Sequence, residues 1–285
     1  MFEFNNNLYK KLTTQFQETY GIDAPNLEFY QINGLDIPFS SFWKRIAINL
    51  SGGADSACLT FLICKIIQDN NLNCKVDVIT HIRCWDTRPW QEPISQEVFN
   101  KLKSMFPNII ENRLTNFISP GIEDGAAGKI FKSKEKMRSG DQLQVDDFNS
   151  YCIFKYKFDA IFNATTHNPH ELIIDGEPPT RRIDKENNPP VLILKRHDAC
   201  VLMPFLLVDK AWVLSQYYLF KIQDLYESTR SCEGDINDAN LSKFVPAVED
   251  YTPGQYVPTC GKCFWCIERT WAETQIPDTV ARISK

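Results

Sequence analysis

The feature that most constrains the fold of this chain is a serine- and glycine-rich segment, Ser51-Gly52-Gly53-Ala54-Asp55-Ser56, between a strand-like and a helix-like stretch. Residues 45–50 before it are mostly apolar, a pattern typical of a short buried strand. Apolar residues after it recur at helical spacing over 54–69. A strand, a glycine turn and a helix in this order predict the start of an α/β fold with a parallel sheet.

The glycine turn is suited to hold an anion. Adjacent glycines let the backbone approach a ligand closely because no Cβ intervenes. The start of the following helix offers N–H groups without intrahelical partners and a partial positive charge. Ser51 and Ser56 add hydroxyl donors, which we expect on either side of the turn. The turn contains no lysine and does not match a Walker A loop. The simpler alternative is a helix start that Asp55 and Ser56 merely cap.

Three of the ten cysteines form a C-x2-C-x2-C run, Cys260, Cys263 and Cys266. Thiolates at this spacing converge from one tight turn, which indicates a metal site. Tetrahedral zinc needs a fourth ligand, and Cys232 is the best candidate because it begins the polar segment that leads to the run. A ferredoxin-type run would have cysteine where Thr270 stands, but a three-cysteine iron–sulfur cluster with an open iron, or unligated thiols, remain alternatives. We expect core positions for five others: Cys58, Cys64, Cys74, Cys152 and Cys200.

Strand-like and helix-like segments alternate along the chain. We expect strands at 45–50, 74–81, 109–117, 159–166 and 191–195, and helices at 8–20, 54–69, 94–106, 141–158 and 209–226. This alternation predicts an α/β fold with a doubly wound, mostly parallel sheet and a small C-terminal zinc-binding annex. The predicted division is an N-terminal extension (1–43), a nucleotide-binding α/β domain (44–208) and a helical, zinc-binding region (209–285). Residues 1–40 are expected to form an appendage before the core.

Composition narrows the range of partners. The chain of 285 residues is 43% hydrophobic and has 31 basic and 36 acidic residues, a net charge of −5. Proteins that coat nucleic acid usually have a basic excess, so a small-molecule substrate is favoured, although nucleic acid stays open. Met1–Asn5 lacks the features of a signal peptide, and the longest apolar run, Ala199–Val208, is too short to span a bilayer. We therefore expect a cytoplasmic protein with reduced thiols and no membrane partner, compatible with a homodimer.

In a parallel sheet, ligands bind beyond the carboxyl ends of the strands. We expect Arg83, at the end of the second strand, to contact a nucleotide, and His167, after the fourth, to act as a general acid or base. The simpler alternatives are an ordinary strand end and a hydrogen-bonded loop histidine. The lysine-rich segment Lys129–Arg138 is interpreted as a solvated loop or as a lid that meets a phosphate.

The segment Ser51–Ser56 resembles the SGGxDS signature of the PP-loop ATP pyrophosphatases, which cleave ATP between the α and β phosphates. Further motifs extend the resemblance to the 7-cyano-7-deazaguanine synthases, the QueC/ExsB family. The resemblance covers the segment near residue 51 and nearly all of 201–272. The further motifs are Leu202-Met203-Pro204-Phe205, Lys210, Thr229-Arg230-Ser231-Cys232, the cysteine run and Glu268-Arg269.

The resemblance implies an enzyme that uses ATP and Mg²⁺ to activate a 7-deazaguanine carboxylate as an acyl-adenylate, with release of pyrophosphate. Ammonia then gives an amide, and a second ATP permits dehydration to the nitrile. Asp55 and Lys210 would lie at the catalytic site, with Mg²⁺ near Asp55. The resemblance implies phosphate binding by Ser51, Gly52, Gly53, Ala54, Asp55 and Ser56, and a structural zinc held by Cys232, Cys260, Cys263 and Cys266.

The chain departs from that family after the fourth predicted strand, where Ala164–Pro169 stands in place of an Asp-Tyr-Ser-Gly-Tyr-like substrate loop. A PP-loop enzyme of sulfur transfer, either a tRNA thiolase or a relative of phosphoadenylyl-sulfate reductase, is the main alternative. Cys84, beside Arg83, would then be the candidate reactive cysteine. A non-enzymatic zinc-knuckle protein is the third interpretation, and it leaves Ser51–Ser56 without a role.

Overall fold

The computed structural model describes residues 27–82, 90–118, 140–169, 171–174, 176–177, 191–194, 199–232 and 259–284. Three sequence predictions lie outside these ranges: the helix at 8–20, the nucleotide contact of Arg83 with its neighbour Cys84, and the role of Lys129–Arg138. The described elements, in chain order, are β1 (Glu28–Ile32), β2 (Leu35–Phe39), β3 (Arg45–Asn49), α1 (Ala54–Asp69), β4 (Lys75–Ile82), α2 (Gln91–Met105), β5 (Ile110–Phe117), α3 (Gly140–Tyr156), β6 (Ala160–Phe162), β7 (Val191–Leu194), β8 (Ala199–Leu202), a 3-10 turn (Pro204–Leu207), α4 (Lys210–Leu219), α5 (Gln223–Glu227) and α6 (Phe264–Ile283).

One six-stranded sheet organises the described residues, in the strand order β5-β4-β3-β6-β8-β7. Its first five strands are parallel, and β7 pairs antiparallel with β8 at the edge. Strand β4 is buried at every residue after its first, as expected for an inner parallel strand with both faces covered. The expected α/β fold with a mostly parallel sheet is confirmed.

The sheet extends from β3 in two directions. Strands β4 and β5 lie on one side of β3, and β6 and β8 lie on the other. Such a reversal of strand order leaves a crevice at the carboxyl ends of the central strands, where ligands bind in open α/β sheets. The segment 51–56 leaves β3 at this crevice.

Alternate residues of β3 face two cores on opposite sides of the sheet. Ile46 and Ile48 belong to the larger core, which includes buried residues of α1, α2 and α4. Ala47 belongs to a smaller core with Cys152 of α3 and Phe158. Helices on both faces make the sheet doubly wound, as the sequence predicts.

Residues 27–40 correct the expectation of an N-terminal appendage. They form the hairpin β1–β2, which turns at Asn33 and Gly34, both at positive φ (48° and 85°). Asn-Gly with this backbone is a preferred two-residue hairpin turn. Phe29, Ile37 and Phe39 lie in the larger core, so the expectation is wrong for these residues because their apolar side chains pack into the main body. The division of the chain at residues 43 and 208 stays a prediction.

Other predicted elements have different bounds in the structure. The helix expected at 209–226 is two helices, α4 and α5, because Lys221 between them adopts a φ of 56°, outside the helical region. The strand expected at 159–166 is only the three residues of β6. Strand β8 is not among the predicted strands, and the 20-residue helix α6 lies in the region 209–285, which is predicted as helical without bounds for this helix. None of the described helices combines the length and hydropathy needed to cross a membrane.

Candidate functional site

The start of α1 presents backbone donors at the crevice. Gly53 is the N-cap residue, in an extended conformation (φ −83°, ψ 161°), and it has no side chain that could accept a hydrogen bond from the first turn. The first amides of an α-helix also lack intrahelical acceptors. The helix start therefore combines N–H donors with the positive end of the helix dipole, which is the arrangement that binds anions.

Two serines shape the glycine loop, by which we mean residues 51–56. The buried Ser56 hydroxyl donates to the carbonyl oxygen of Gly53 (3.1 Å) and accepts from the amide of Ser51 (3.1 Å). The hydroxyl of Ser51, an exposed residue, lies 3.1 Å from that of Ser56. The two hydroxyls thus lie together rather than on either side of the turn, since Ser56 reaches back from the helix to fasten the loop. Ser51 is the one that solvent can reach.

The glycine loop leaves little room for side chains at its two glycines. Gly52 adopts a φ of +81°, and a Cβ there would lie 3.0 Å from the backbone nitrogen of Ser95 on α2. A Cβ on Gly53 would lie 3.2 Å from the hydroxyl of Ser231 and 3.4 Å from the carbonyl oxygen of Arg230. Neighbouring segments therefore enclose the loop on two sides; the backbone conformation and the contact with Ser95 require glycine at 52, whereas a side chain at 53 would have to displace serine hydroxyls.

The second enclosing segment is the strap, which we define as residues 229–232. Its Arg230 amide donates to the carbonyl oxygen of Gly52 (2.9 Å). Arg269 of α6 donates to the carbonyl oxygen of Thr229 (3.2 Å), and its guanidinium lies over the ring of Tyr226 (4.2 Å). The strap is thus fixed to the glycine loop on one side and to α6 on the other.

A buried lysine lies beneath the glycine loop. Lys210, the first residue of α4, is 1% exposed, and its ammonium forms an ion pair with Oδ2 of Asp55. The same Nζ lies 3.9 Å from Oε2 of Glu268 on α6, a residue with no exposed surface. The two carboxylates compensate the buried ammonium and leave one excess negative charge in the group. Asp55 keeps a buried Oδ1 that has no hydrogen-bond partner among the described residues.

The four cysteines predicted as ligands come together at the end of the strap. Cys232 ends the strap, Cys263 precedes α6 and Cys266 lies in its first turn. The sulfur atoms of these three residues and of Cys260 all lie within 4.8 Å of one another. Backbone amides of Cys260 and Cys263 each donate to a cysteine sulfur at 3.3 Å. Hydrogen bonds from the thiols of Cys232 and Cys266 lower the pKa of the Cys263 thiol below its usual range. This cluster could hold a metal ion or an iron–sulfur cluster.

The described cysteines outside the cluster are buried, as expected for core residues. Burial raises the pKa of the Cys74 and Cys200 thiols to about 12 and that of Cys152 to about 11. A buried thiol with a raised pKa has little of the thiolate form that reacts or binds metal. Chemistry at cysteine within the described residues is therefore confined to the four-cysteine cluster.

The segment after β6 brings His167 to the same edge of the sheet. His167 is half-buried, and its amide donates to the carbonyl oxygen of Val208 (2.8 Å), two residues before Lys210. At the ends of β3 and β6, the Asn49 side-chain amide donates to the side-chain oxygen of Asn163. The crevice therefore has polar side chains on the β6 side as well as at the glycine loop.

Sequence reasoning gave no individual role to Ser95, Ser231 or Glu268. Ser95 and Ser231 limit the space at Gly52 and Gly53, and no local sequence pattern indicates that these distant residues meet. Glu268 has a detectable signal, because it shares the i, i+4, i+8 row of α6 with Ala272 and Ile276, all of them buried. A glutamate in a buried row is a candidate partner for a buried cation.

Comparison with known protein families gives no match, and comparison with curated protein sequences gives none either. Among solved structures, the chain is similar to phosphoadenylyl-sulfate (PAPS) reductase from Candida auris in a phosphate complex, with 11% identity over 68% of this chain and 82% of that chain and a TM-score of 0.35. It is similar to the U34-tRNA thiolase NcsA from Methanococcus maripaludis with its 4Fe–4S cluster (11% identity, 98% and 78%, TM-score 0.40). It is also similar to NAD⁺ synthetase from Burkholderia pseudomallei (9% identity, 100% and 88%, TM-score 0.39). These similarities are too distant to assign a family or an activity.

Proposed function

We propose that this protein is a PP-loop ATP pyrophosphatase that activates a substrate carboxylate as an acyl-adenylate and releases pyrophosphate. The observation that carries the proposal is the glycine loop at the sheet crevice, where the uncapped first turn of α1 and the exposed Ser51 hydroxyl offer donors to a triphosphate. Gly52 and Gly53 leave the loop backbone free of side chains. Donors fixed in this way stabilise the negative charge that grows on the departing pyrophosphate.

Adenylation addresses a chemical difficulty of carboxylates. A carboxylate would have to expel oxide, whereas an acyl-adenylate expels AMP. Attack of ammonia on the adenylate forms a C–N bond and gives an amide, and a second ATP removes the amide oxygen to leave a nitrile. A 7-deazaguanine carboxylate is the proposed substrate because residues 201–272 resemble 7-cyano-7-deazaguanine synthase.

Asp55 is the proposed Mg²⁺ ligand, direct or through water. One carboxylate oxygen pairs with Lys210, and the other is buried without a hydrogen-bond partner among the described residues. Carboxylate oxygens are ligands that Mg²⁺ prefers. When bound, Mg²⁺ would neutralise charge on the phosphates. Lys210 is buried, so its proposed role is to hold Asp55 in position at the catalytic site.

His167 is the proposed acid–base group. Attack by ammonia leaves a proton on the new nitrogen, and an imidazole at the crevice can accept it. The hydrogen bond from the His167 amide to Val208 fixes its backbone close to the start of α4. The ring is half-buried, so it stays accessible to a substrate at the carboxyl edge of the sheet.

Zinc is the proposed occupant of the cysteine cluster. Tetrahedral zinc with Zn–S bonds of about 2.3 Å places its sulfur atoms about 3.8 Å apart. The sulfur atoms of Cys260 and Cys266 are 3.9 Å apart, which supports a single ion, since a 4Fe–4S cube holds its four thiolates further apart. Four thiolates leave no open coordination position, so the proposed role is structural.

The test is an ATP–pyrophosphate exchange assay with 7-deazaguanine carboxylates and with simple carboxylic acids. We expect exchange only with a cognate acid, and AMP plus pyrophosphate as products once ammonia is added. Formation of ADP and phosphate alone would contradict the proposal. Metal analysis of the same protein separates the alternatives, because stoichiometric iron and a brown colour would support sulfur transfer instead.

A further inference from the structure

We propose that Glu268 is a positioning residue for the glycine loop, and that through Glu268 and the strap the metal load of the four-cysteine cluster sets the affinity of the loop for pyrophosphate. This inference rests on the phosphate-binding role proposed above. It assigns the cluster a second task besides folding the C-terminal region.

The first connection between cluster and loop is the strap. Cys232 ends the strap, and its neighbour Ser231 has its hydroxyl 3.2 Å from the position of a Cβ on Gly53. Arg230, one residue further back, donates its amide to the carbonyl oxygen of Gly52. A metal ion that fixes Cys232 therefore fixes the backbone that closes the loop from above.

The second connection runs through buried charges. Cys266 and Glu268 are two residues apart on the first turns of α6, so the ion that fixes one fixes the other. Glu268 lies 3.9 Å from the Lys210 ammonium, which forms the ion pair with Asp55 in the glycine loop. Because Lys210 and Glu268 are fully buried, water cannot replace either partner, and movement of Glu268 alters the balance of charge around Asp55.

Both connections end on the glycine loop. The strap contacts Gly52 and Gly53, and the charge chain contacts Asp55. Helix α6 transmits the position of the cluster as a rigid element, because it packs on α4 through buried residues such as Ala272. Loss of the metal ion would release the strap and Glu268 together, and the loop would lose the fixed geometry that anion binding requires.

The test compares zinc-loaded, full-length wild type with Glu268→Gln, with Asp278→Asn as the matched control. Asp278 is exposed on the same helix, so its variant removes one negative charge away from the cluster. Pyrophosphate affinity is measured by calorimetry, and zinc content is measured before and after each titration. We expect Glu268→Gln to keep its zinc but to bind pyrophosphate about fivefold or more weakly, the smallest effect typical of coupling between two sites. Asp278→Asn should bind it as wild type does.

Hydrogen exchange supplies the readout that does not depend on the variant. Removing zinc with a chelator should speed amide exchange in the peptide around residues 50–57 as well as around the cysteines, while the β4 amides at 75–82 stay protected. Zinc-loaded Glu268→Gln should show faster exchange in 50–57 only. If zinc removal leaves the 50–57 amides unchanged, or if Glu268→Gln and Asp278→Asn bind pyrophosphate equally well, the coupling does not exist. If zinc-loaded wild type does not bind pyrophosphate at all, the phosphate-binding role itself is wrong.

Discussion

The glycine loop and the cysteine cluster are built in opposite ways. Every hydrogen bond that shapes the glycine loop from within joins residues at most five positions apart. The cluster joins Cys232 to Cys260 across 28 positions, and the ion pair of Asp55 with Lys210 spans 155. The internal hydrogen bonds of the glycine loop need only nearby sequence, whereas the cluster, and the contacts that attach the loop to the strap and to Lys210, exist only when the chain has folded around them. Substitutions in the glycine loop should therefore lower activity in a protein that still folds, whereas substitutions in the cluster should lower the stability of the fold.

The largest effect is expected from Cys263→Ser, which removes one of four thiolates from the cluster. Structural zinc contributes about 10–16 kcal/mol to the folding of small zinc domains, so loss of one ligand should unfold the C-terminal region. We expect low zinc content and an early thermal transition, measured by metal analysis and circular dichroism. Cys152→Ala, in the smaller core, is the control and should keep its zinc. A fully folded, zinc-free Cys263→Ser protein would remove the distinction between the regions.

Asp55→Ala tests the opposite expectation, a loss of turnover in a folded protein. Glu268 stays beside Lys210 in this variant, so the buried ammonium keeps a carboxylate partner. The proposed Mg²⁺ ligand is gone, and we expect turnover to fall by about 10²–10³-fold, the usual cost of losing one group that stabilises transition-state charge. Asp69→Ala at the other end of α1 removes only an exposed pair with Lys65 and should have normal turnover. If Asp55→Ala unfolds while it still binds zinc normally, the main role of the Asp55–Lys210 ion pair is to stabilise the fold.

The same contrast explains what the sequence could predict. Strand β3, the glycine turn and α1 agree with their predictions nearly to the residue, because each depends on a local pattern. The hairpin β1–β2 also had a local signal, the Asn33-Gly34 turn, flanked by alternating buried residues such as Ile37 and Phe39. The polar, asparagine-rich sequence of residues 1–40 as a whole hid this signal and led to the wrong prediction of an appendage.

Other features depend on contacts between distant parts of the chain. Helix α6 has a polar composition and contains Pro277, and its stability depends on packing against α4 from another part of the chain. The close approach of Ser95 to Gly52 and of Ser231 to Gly53 depends on the sheet order, which decides which loops meet. The cysteine spacing predicted four ligands together, but not that the strap ending in Cys232 also closes the glycine loop.

Gly52→Ala, compared with Gly34→Ala, separates backbone strain from close approach. Both glycines have similar φ values (+81° and +85°), so alanine strains both backbones by about 1–3 kcal/mol. Only Gly52 has a neighbour within reach of a Cβ, the backbone of Ser95 at 3.0 Å, whereas nothing lies within 4 Å at Gly34. We expect a larger loss of unfolding free energy in urea for Gly52→Ala, because the contact with Ser95 adds to the shared backbone strain, and a loss of pyrophosphate affinity only in that variant. Equal affinities in the two variants would mean that the loop tolerates displacement and that its geometry does not determine binding.

The smallest effect is expected from Ser51→Ala, which removes the exposed hydroxyl of the glycine loop. A hydrogen bond to a charged group such as pyrophosphate contributes about 1.5–3 kcal/mol, so pyrophosphate affinity should fall by about 10- to 150-fold. The unfolding free energy should fall less than in Ser56→Ala, because the variant loses the bond from the Gly53 amide to the Ser51 hydroxyl (3.3 Å) but the Ser56 hydroxyl keeps its bond to Gly53. Ser56→Ala is the informative partner, since it removes a buried hydroxyl that joins both ends of the loop and should lower both quantities. If Ser51→Ala destabilises the fold as much as Ser56→Ala does, the two serines share the fastening role and neither is reserved for a ligand.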